Sequence, residues 1–136
     1  MQHFKQTKLD TNILKAISEM GFKTPTPIQA KTIPHLMNSN LDLIATAQTG
    51  TGKTAAFGLP SIHLTNLKYN DTQTLVLCPT RELCIQIAKD LAKYSKYLKG
   101  LNILAVYGGS DIKTQIRSLN KGAHIVIGTP GRTKDL

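Results

Sequence analysis

Apolar positions recur along this chain with two different spacings, and the alternation between them outlines its architecture. From Asp10 to Met20 the apolar residues Ile13, Leu14, Ile17 and Met20 share one helical face, and Gly21 marks the stop. Thr26-Pro27-Ile28-Gln29 predicts the next helix start, with an N-cap, a proline at the first helical position and a glutamine three residues after the cap. That helix runs towards Asn38, bent or split at Pro34. The short run Leu43-Ile44-Ala45 predicts a strand, followed by a helix from Gly52 or Lys53 towards Lys68 that Pro60 should kink. Residues 66–73 form a polar connection.

Beyond it the two periods alternate regularly. Leu75-Val76-Leu77, Ile103-Leu104-Ala105-Val106 and Ile125-Val126-Ile127 are strand-length apolar runs. Between them lie helices with Leu83, Ile87, Leu91, Tyr94 and Leu98 on one apolar face, and Ile112, Ile116 and Leu119 on another. Strands that are apolar throughout and alternate with amphipathic helices predict an α/β fold, a parallel sheet with helices on both faces. In such a sheet the C-terminal strand ends share one edge, where ligands bind. Each run here leads into a loop rich in Gly, Pro, Thr or Arg: 47–54, 79–82, 108–110 and 129–132. Any one of these is explained by helix capping, with Ser110 and Thr129 as N-caps and Pro130 in a first turn. Together they suit a row of phosphates.

The first loop has a specific chemistry. Ala47-Gln48-Thr49-Gly50-Thr51-Gly52-Lys53-Thr54 sits between a strand signal and a helix signal, the layout of a phosphate-binding loop. Glycines let backbone N–H groups turn inward around a polyphosphate, and the following helix points its positive end at the same anion. Lys53 then reaches the β- and γ-phosphates, and the Thr54 hydroxyl holds Mg²⁺. The usual first glycine is Ala47. The chain is built to bind a nucleoside triphosphate.

Composition changes this picture in one respect. The 136 residues suffice for one domain, and 40% hydrophobic content suits an ordinary globular core. Lys and Arg number 17 against 8 acids, a formal charge of +9, and a basic domain of this size often meets nucleic acid. Two lysine-rich stripes, Lys89-Lys93-Lys96-Lys99 and Lys113-Arg117-Lys121, read first as solvated helix faces. Cys78 and Cys84 match no zinc or disulfide spacing and read as small buried hydrophobes in a reducing cytosol, so the expected location is cytoplasmic. No run reaches the length of a membrane span, and no membrane partner is expected.

Five motifs in order now resemble those of the DEAD-box ATP-dependent RNA helicases. Phe4, Gly21-Phe22 and Pro27-Ile28-Gln29 look like the Q motif (4–29), and residues 47–54 are similar to motif I, whose family form begins with Ala. Residues 79–83, Pro79-Thr80-Arg81-Glu82-Leu83, resemble motif Ia, Gly108-Gly109 the GG motif, and Thr129-Pro130-Gly131-Arg132 motif Ib. The resemblance covers essentially residues 1–136 and implies a partial N-terminal RecA-like domain with ATP and Mg²⁺ as cofactors. It implies that Phe4 packs on adenine, that Phe22 also belongs to the cofactor-binding residues, and that Gln29 reads the Hoogsteen edge of the base. The capping-box role of Gln29 competes with this, and both can hold. It further implies that Pro79, Thr80, Arg81, Gly108, Gly109, Thr129, Pro130, Gly131 and Arg132 line an RNA backbone path. Arg132 has a second reading, a structural ion pair.

The family's acidic Asp-Glu-Ala-Asp motif, its Ser-Ala-Thr motif and its second RecA-like domain do not occur in the sequence. None of the eight acids ends an apolar strand where it could hold Mg²⁺. The expectation is therefore an ATP-dependent RNA helicase in the longer parent, contacting RNA without regard to sequence and closing on its second domain. The chain alone is expected to bind nucleotide with little hydrolysis. It is also expected to expose the apolar edge of the strand at 43–45, as a piece of a longer chain or as an association-prone fragment. Two rivals stand: a non-catalytic nucleotide- or RNA-binding module, and another P-loop phosphotransferase.

Overall fold

The structure, a computed structural model, describes residues 3–136. It divides into two compact units, Met1–Leu64 with Lys93–Lys99, and Thr65–Ala92 with Gly100–Leu136.

The first unit is helical. A 3-10 turn at Phe4–Thr7 precedes α1 (Thr11–Glu19), α2 (Pro27–Asn38) and α3 (Lys53–Leu64). Asp10 caps α1 by accepting from the Asn12 N–H at 2.8 Å, and Gly21, at φ +86°, ends it as the pattern predicts. Its buried face is Ile13, Ala16 and Ile17, while Met20 lies at the surface. The helices α2 and α3 pack on each other, burying Ile33, Ala55, Ala56, Leu59 and Ile62 in this unit. Both run through their internal prolines, Pro34 and Pro60, and α3 stops at Leu64, short of Lys68.

The expected strand at 43–45 does not form. Residues 42–48 carry no ladder, and the flanking apolar side chains Leu41 and Ile44 are open to solvent, Ile44 at 95%. A strand exists only through a partner's N–H and C=O groups. Among the described residues nothing pairs with this segment, so its apolar composition alone does not make it a strand.

The second unit holds the sheet. β1 (Thr74–Leu77), β2 (Ile103–Val106) and β3 (Ile125–Gly128) are parallel in the order β1-β3-β2. β3 pairs on both edges, Ile125 facing Thr74 on one side and Ile103 on the other, and all four of its residues are buried. β1 is equally apolar in sequence but exposes Leu75 and Leu77. Between the strands lie α4 (Arg81–Tyr94) and α5 (Ile112–Lys121), and α6 (Pro130–Asp135) follows β3.

Both of this unit's longer helices differ from their sequence patterns in which side chains they bury. On α4 the buried position in the first turn is Cys84, not Leu83, and the helix ends at Tyr94, so Lys96, Lys99 and Leu98 lie beyond it. On α5 Ile116 is 42% exposed, and the side chain buried in its place is Gln115, at 5%. The cap of α5 is Asp111, whose carboxylate accepts from the Lys113 N–H and the Thr114 hydroxyl; Ser110 is not the cap. Lys89, Lys93, Lys113, Arg117 and Lys121 are all solvent-exposed, as the solvated-face reading expects. No helix among the described residues is long and apolar enough to cross a membrane.

Candidate functional site

In the first unit the residues of the amino-terminal motif and of the phosphate loop meet. Gln29 is 3% exposed, and each end of its amide bonds one backbone group. Its Oε1 accepts from the Thr26 N–H at 3.0 Å, forming its half of the capping box, and its Nε2 donates to the Gly52 carbonyl at 3.1 Å. One turn away the Thr26 hydroxyl donates to the Thr51 carbonyl at 2.7 Å. Two side chains from the start of α2 therefore hold two consecutive carbonyls of the loop. The Gly52 carbonyl also accepts the Ala56 N–H at 3.1 Å, the first hydrogen bond of α3.

Gly52 is required here for two reasons. Its φ of +81° belongs to the left-handed region, and a Cβ would lie 2.2 Å from Gln29 Nε2. Helix α3 then starts at Lys53, so the N–H groups of its first turn have no partners within the helix and are available to an anion. Lys53 is exposed, Ala47 is partly buried, and both border a cavity of about 500 Å³ together with Ile28, Leu43 and Phe57. Within the loop the Thr51 hydroxyl donates to the Gln48 carbonyl.

A second cavity, of about 460 Å³, is bordered by Phe4, Phe22, Thr26, Gln29, Gly50 and Gly52. It joins the aromatic pair and the amide to the phosphate loop in one concave surface. Phe4 is 3% exposed, so little of it is open to this space. Its ring lies 5.9 Å from that of Phe22, which in turn lies 6.0 Å from Tyr94. The Phe4 N–H donates to the Lys23 carbonyl at 3.1 Å, fixing the amino-terminal turn against the loop after α1.

In the second unit three loops gather at the C-terminal ends of the strands. Thr80 caps α4 by accepting the Leu83 N–H at 3.2 Å, and Pro79, Thr80 and Arg81 are exposed. The Arg81 guanidinium sits over the Tyr107 ring at 5.0 Å, and its Nη1 is 3.4 Å from where a Cβ on Gly109 would stand. The loops at 79–81 and 107–109 are thereby adjacent. Gly128 closes β3 where a Cβ would collide with Thr133 Oγ1 at 2.1 Å and Val106 Cγ2 at 2.8 Å, so α6 and β2 approach the strand end as only glycine permits. Thr129 occupies the cap position of α6, with Pro130 in the first turn, but its side chain makes no capping bond.

Arg132 is half-buried, and its partners are neutral. Its Nη1 donates to the Ser110 carbonyl at 3.0 Å and to Gln115 Oε1 at 2.8 Å. The structural ion pair considered from sequence is replaced by a bridge to the 108–110 loop. Gln115 completes it by donating from Nε2 to the Tyr107 carbonyl at 3.2 Å. Sequence reasoning missed Gln115 because the apolar pattern of the helix runs through Ile116. The available signal was a polar residue three after Ile112 and four before Leu119, on the same stripe.

The cysteines are free and buried. Burial first, then the neighbouring Cys78 thiol, pushes the Cys84 thiol up to about 12, which leaves it protonated and unreactive. No cluster of three or more potential metal-ligating His, Cys, Asp or Glu side chains occurs among the described residues.

A family model described as DEAD/DEAH box helicase matches residues 26–136. The chain is 56% identical over 135 residues to the ATP-dependent RNA helicase CshA of Listeria monocytogenes, covering 99% of this chain and 26% of that protein. It is 46% identical over 132 residues to the ATP-dependent RNA helicase DeaD of Escherichia coli K12, covering 97% of this chain and 21% of that protein. Among solved structures, a DEAD box protein from Methanococcus jannaschii superposes with a TM-score of 0.93 at 44% identity, covering 99% of this chain and 36% of that one. A hypothetical ATP-dependent RNA helicase from Sulfolobus tokodaii gives a TM-score of 0.81 at 39% identity, covering 94% and 36%. The chain spans about a quarter of the length of the curated relatives it matches.

Proposed function

The chain belongs to the DEAD/DEAH box helicase family, and from that premise we propose that it is the adenine-nucleotide- and RNA-backbone-binding part of an ATP-dependent RNA helicase. The observation that carries this reading is the pair of hydrogen bonds from Thr26 and Gln29 to the Thr51 and Gly52 carbonyls. They make a base pocket and a phosphate loop one object, whereas a generic phosphate loop needs no such partner.

The residues fit the phosphates of a nucleotide. The loop has glycine at position 52, where a Cβ would strike Gln29, and α3 offers unpaired N–H groups beside Lys53. In this reading Phe4 and Phe22 border the adenine, and Gln29 presents its second amide hydrogen and second oxygen lone pair to the base edge. Ala47, Gln48, Thr49, Gly50, Thr51 and Gly52 surround the phosphates. Lys53 would neutralise the β- and γ-oxygens, and Thr54 would hold Mg²⁺, which would supply charge stabilisation to the phosphoryl group.

The rim of the second unit binds the RNA backbone. Thr80, Arg81, Gly109, Thr129 and Arg132 offer hydroxyls, N–H groups and guanidinium edges, with Pro79, Gly108, Pro130 and Gly131 shaping the loops. Such contacts position a strand without reading its bases, and the 2′-hydroxyl separates RNA from DNA. None of the eight acids lies on β1, β2 or β3. In this reading ATP hydrolysis and strand separation belong to a longer parent with a second RecA-like domain, as the family resemblance implies, its location is cytoplasmic, and this chain alone binds without efficient turnover.

The test is a titration of the protein with fluorescent ADP, competed by unlabelled ADP and GDP. Displacement by ADP but not GDP is expected. Equal displacement by both would remove Gln29 from base recognition and leave only a generic phosphate site.

A further inference from the structure

The buried Gln115 has no role in the nucleotide pocket and cannot itself reach solvent-borne RNA, yet it is the node of the basic rim. Its two amide ends are used in opposite directions. Nε2 donates to the Tyr107 carbonyl at 3.2 Å, and Oε1 accepts from Arg132 at 2.8 Å. The same Arg132 nitrogen reaches the Ser110 carbonyl at 3.0 Å, and the Tyr107 ring carries Arg81 at 5.0 Å. One side chain thus links the loop after β2, the helix after β3 and, through Tyr107, the arginine that opens α4.

A glutamine at a position where the helical stripe calls for an apolar residue is costly unless its amide is satisfied. Here both ends are satisfied, and by groups that belong to the loops rather than to the core. A hydrophobic residue of similar volume would fill the site without linking anything. We propose that Gln115 is a positioning residue for RNA. It fixes Arg132 and the 108–110 loop in one geometry, so that the rim meets successive phosphates with little ordering left to do on binding. This rests on the assignment of the rim to RNA.

The experiment uses the full-length protein with Gln115→Met, Arg132→Met and the double substitution. Each is titrated with a fluorescent single-stranded oligouridylate in the presence of a non-hydrolysable ATP analogue, and separately with fluorescent ADP. Gln115→Met should weaken RNA binding about tenfold, the worth of one net hydrogen bond, with ADP affinity within about twofold. Its log affinity against log salt slope should stay as in the wild type, because no phosphate contact has been deleted. In the double variant the two losses should not add. Unchanged RNA affinity in Gln115→Met, or fully additive losses, would overturn the proposal. Should Gln115→Met lose its fold, seen as lost ADP binding, Gln115→Asn is judged by the same criterion, since its shorter amide cannot span Tyr107 and Arg132. If the wild-type protein binds no RNA, the assignment of the rim fails and this inference with it, whereas normal wild-type binding isolates Gln115.

Discussion

The phosphate loop and the basic rim are built by different means. The rim stands on a ladder: β3 is paired along both edges and buried at every residue, and the loops at 79–81, 107–110 and 129–132 leave its strand ends. The phosphate loop follows a segment with no ladder at all, and its shape comes from helix ends: the start of α2 through Thr26 and Gln29, and the start of α3 through Gly52. Among the described residues the loop is thus held by capping side chains and two left-handed glycines, Gly50 and Gly52, whereas a rim made of three loops depends on long-range pairing.

Four measurements break or sharpen this contrast. The largest effect should come from Ile127→Asp in the fully buried centre of β3. An unpaired carboxylate there should cost more than about 4 kcal/mol, with loss of hydrogen-exchange protection in all three strands. Native protection in that variant would mean the ladder is not what supports the rim. Gly52→Ala comes next. A Cβ at φ +81° and 2.2 Å from Gln29 Nε2 must displace the amide, and strain of about 1–2 kcal/mol should lower ADP affinity at least tenfold while the strand amides keep their protection. Full ADP affinity in this variant would uncouple the cradle from Gln29.

Ile44→Ser tests the unpaired segment. At 95% exposure the side chain stabilises little, and urea unfolding of the 136-residue chain should move by less than about 0.5 kcal/mol. A loss several times larger would show that the segment is buried in solution. The smallest effect concerns Glu19, whose carboxyl is held below its ordinary range first by the Tyr97 hydroxyl and then by Lys96, at 3.1 Å. A depressed folded value stabilises above the unfolded one and is lost as pH falls through the folded one. Glu19→Gln should therefore lower the urea midpoint slightly at neutral pH and flatten its fall as pH drops through and below the ordinary glutamate range, leaving acid midpoints nearly unchanged. An unaltered acid slope would mean the contact is not kept in solution.

Much of this is legible in the sequence because it depends on local rules. Asp10 to Gly21 specify a helix with its stop, Thr26-Pro27 with Gln29 a helix start, and Gly50–Thr54 a turn into a helix. Three of the four apolar runs are strands, and the family motifs mark the loops. What is not legible depends on partners. Leu43-Ile44-Ala45 has the composition of a strand and no pairing partner among the described residues, and pairing is not contained in a local pattern. Gln115 escapes the pattern since a buried polar residue is justified only by the Tyr107 carbonyl and Arg132, which arrive from elsewhere in the chain. Asp111 displaces Ser110 as the cap by one residue because both can cap, and the carboxylate also reaches the Thr114 hydroxyl.

The Gly52 carbonyl accepts from Gln29 and from Ala56 at once, and this has a consequence for substrate choice. On the proposed reading of the site, a ligand with the wrong base would do more than forgo one contact. By pulling the glutamine amide out of line it would disturb an oxygen that accepts the first hydrogen bond of α3, and with it the helix end proposed to hold the phosphates. Discrimination between bases should therefore be larger for whole nucleotides than for free nucleobases, with the tail of the ligand amplifying a choice made at its head.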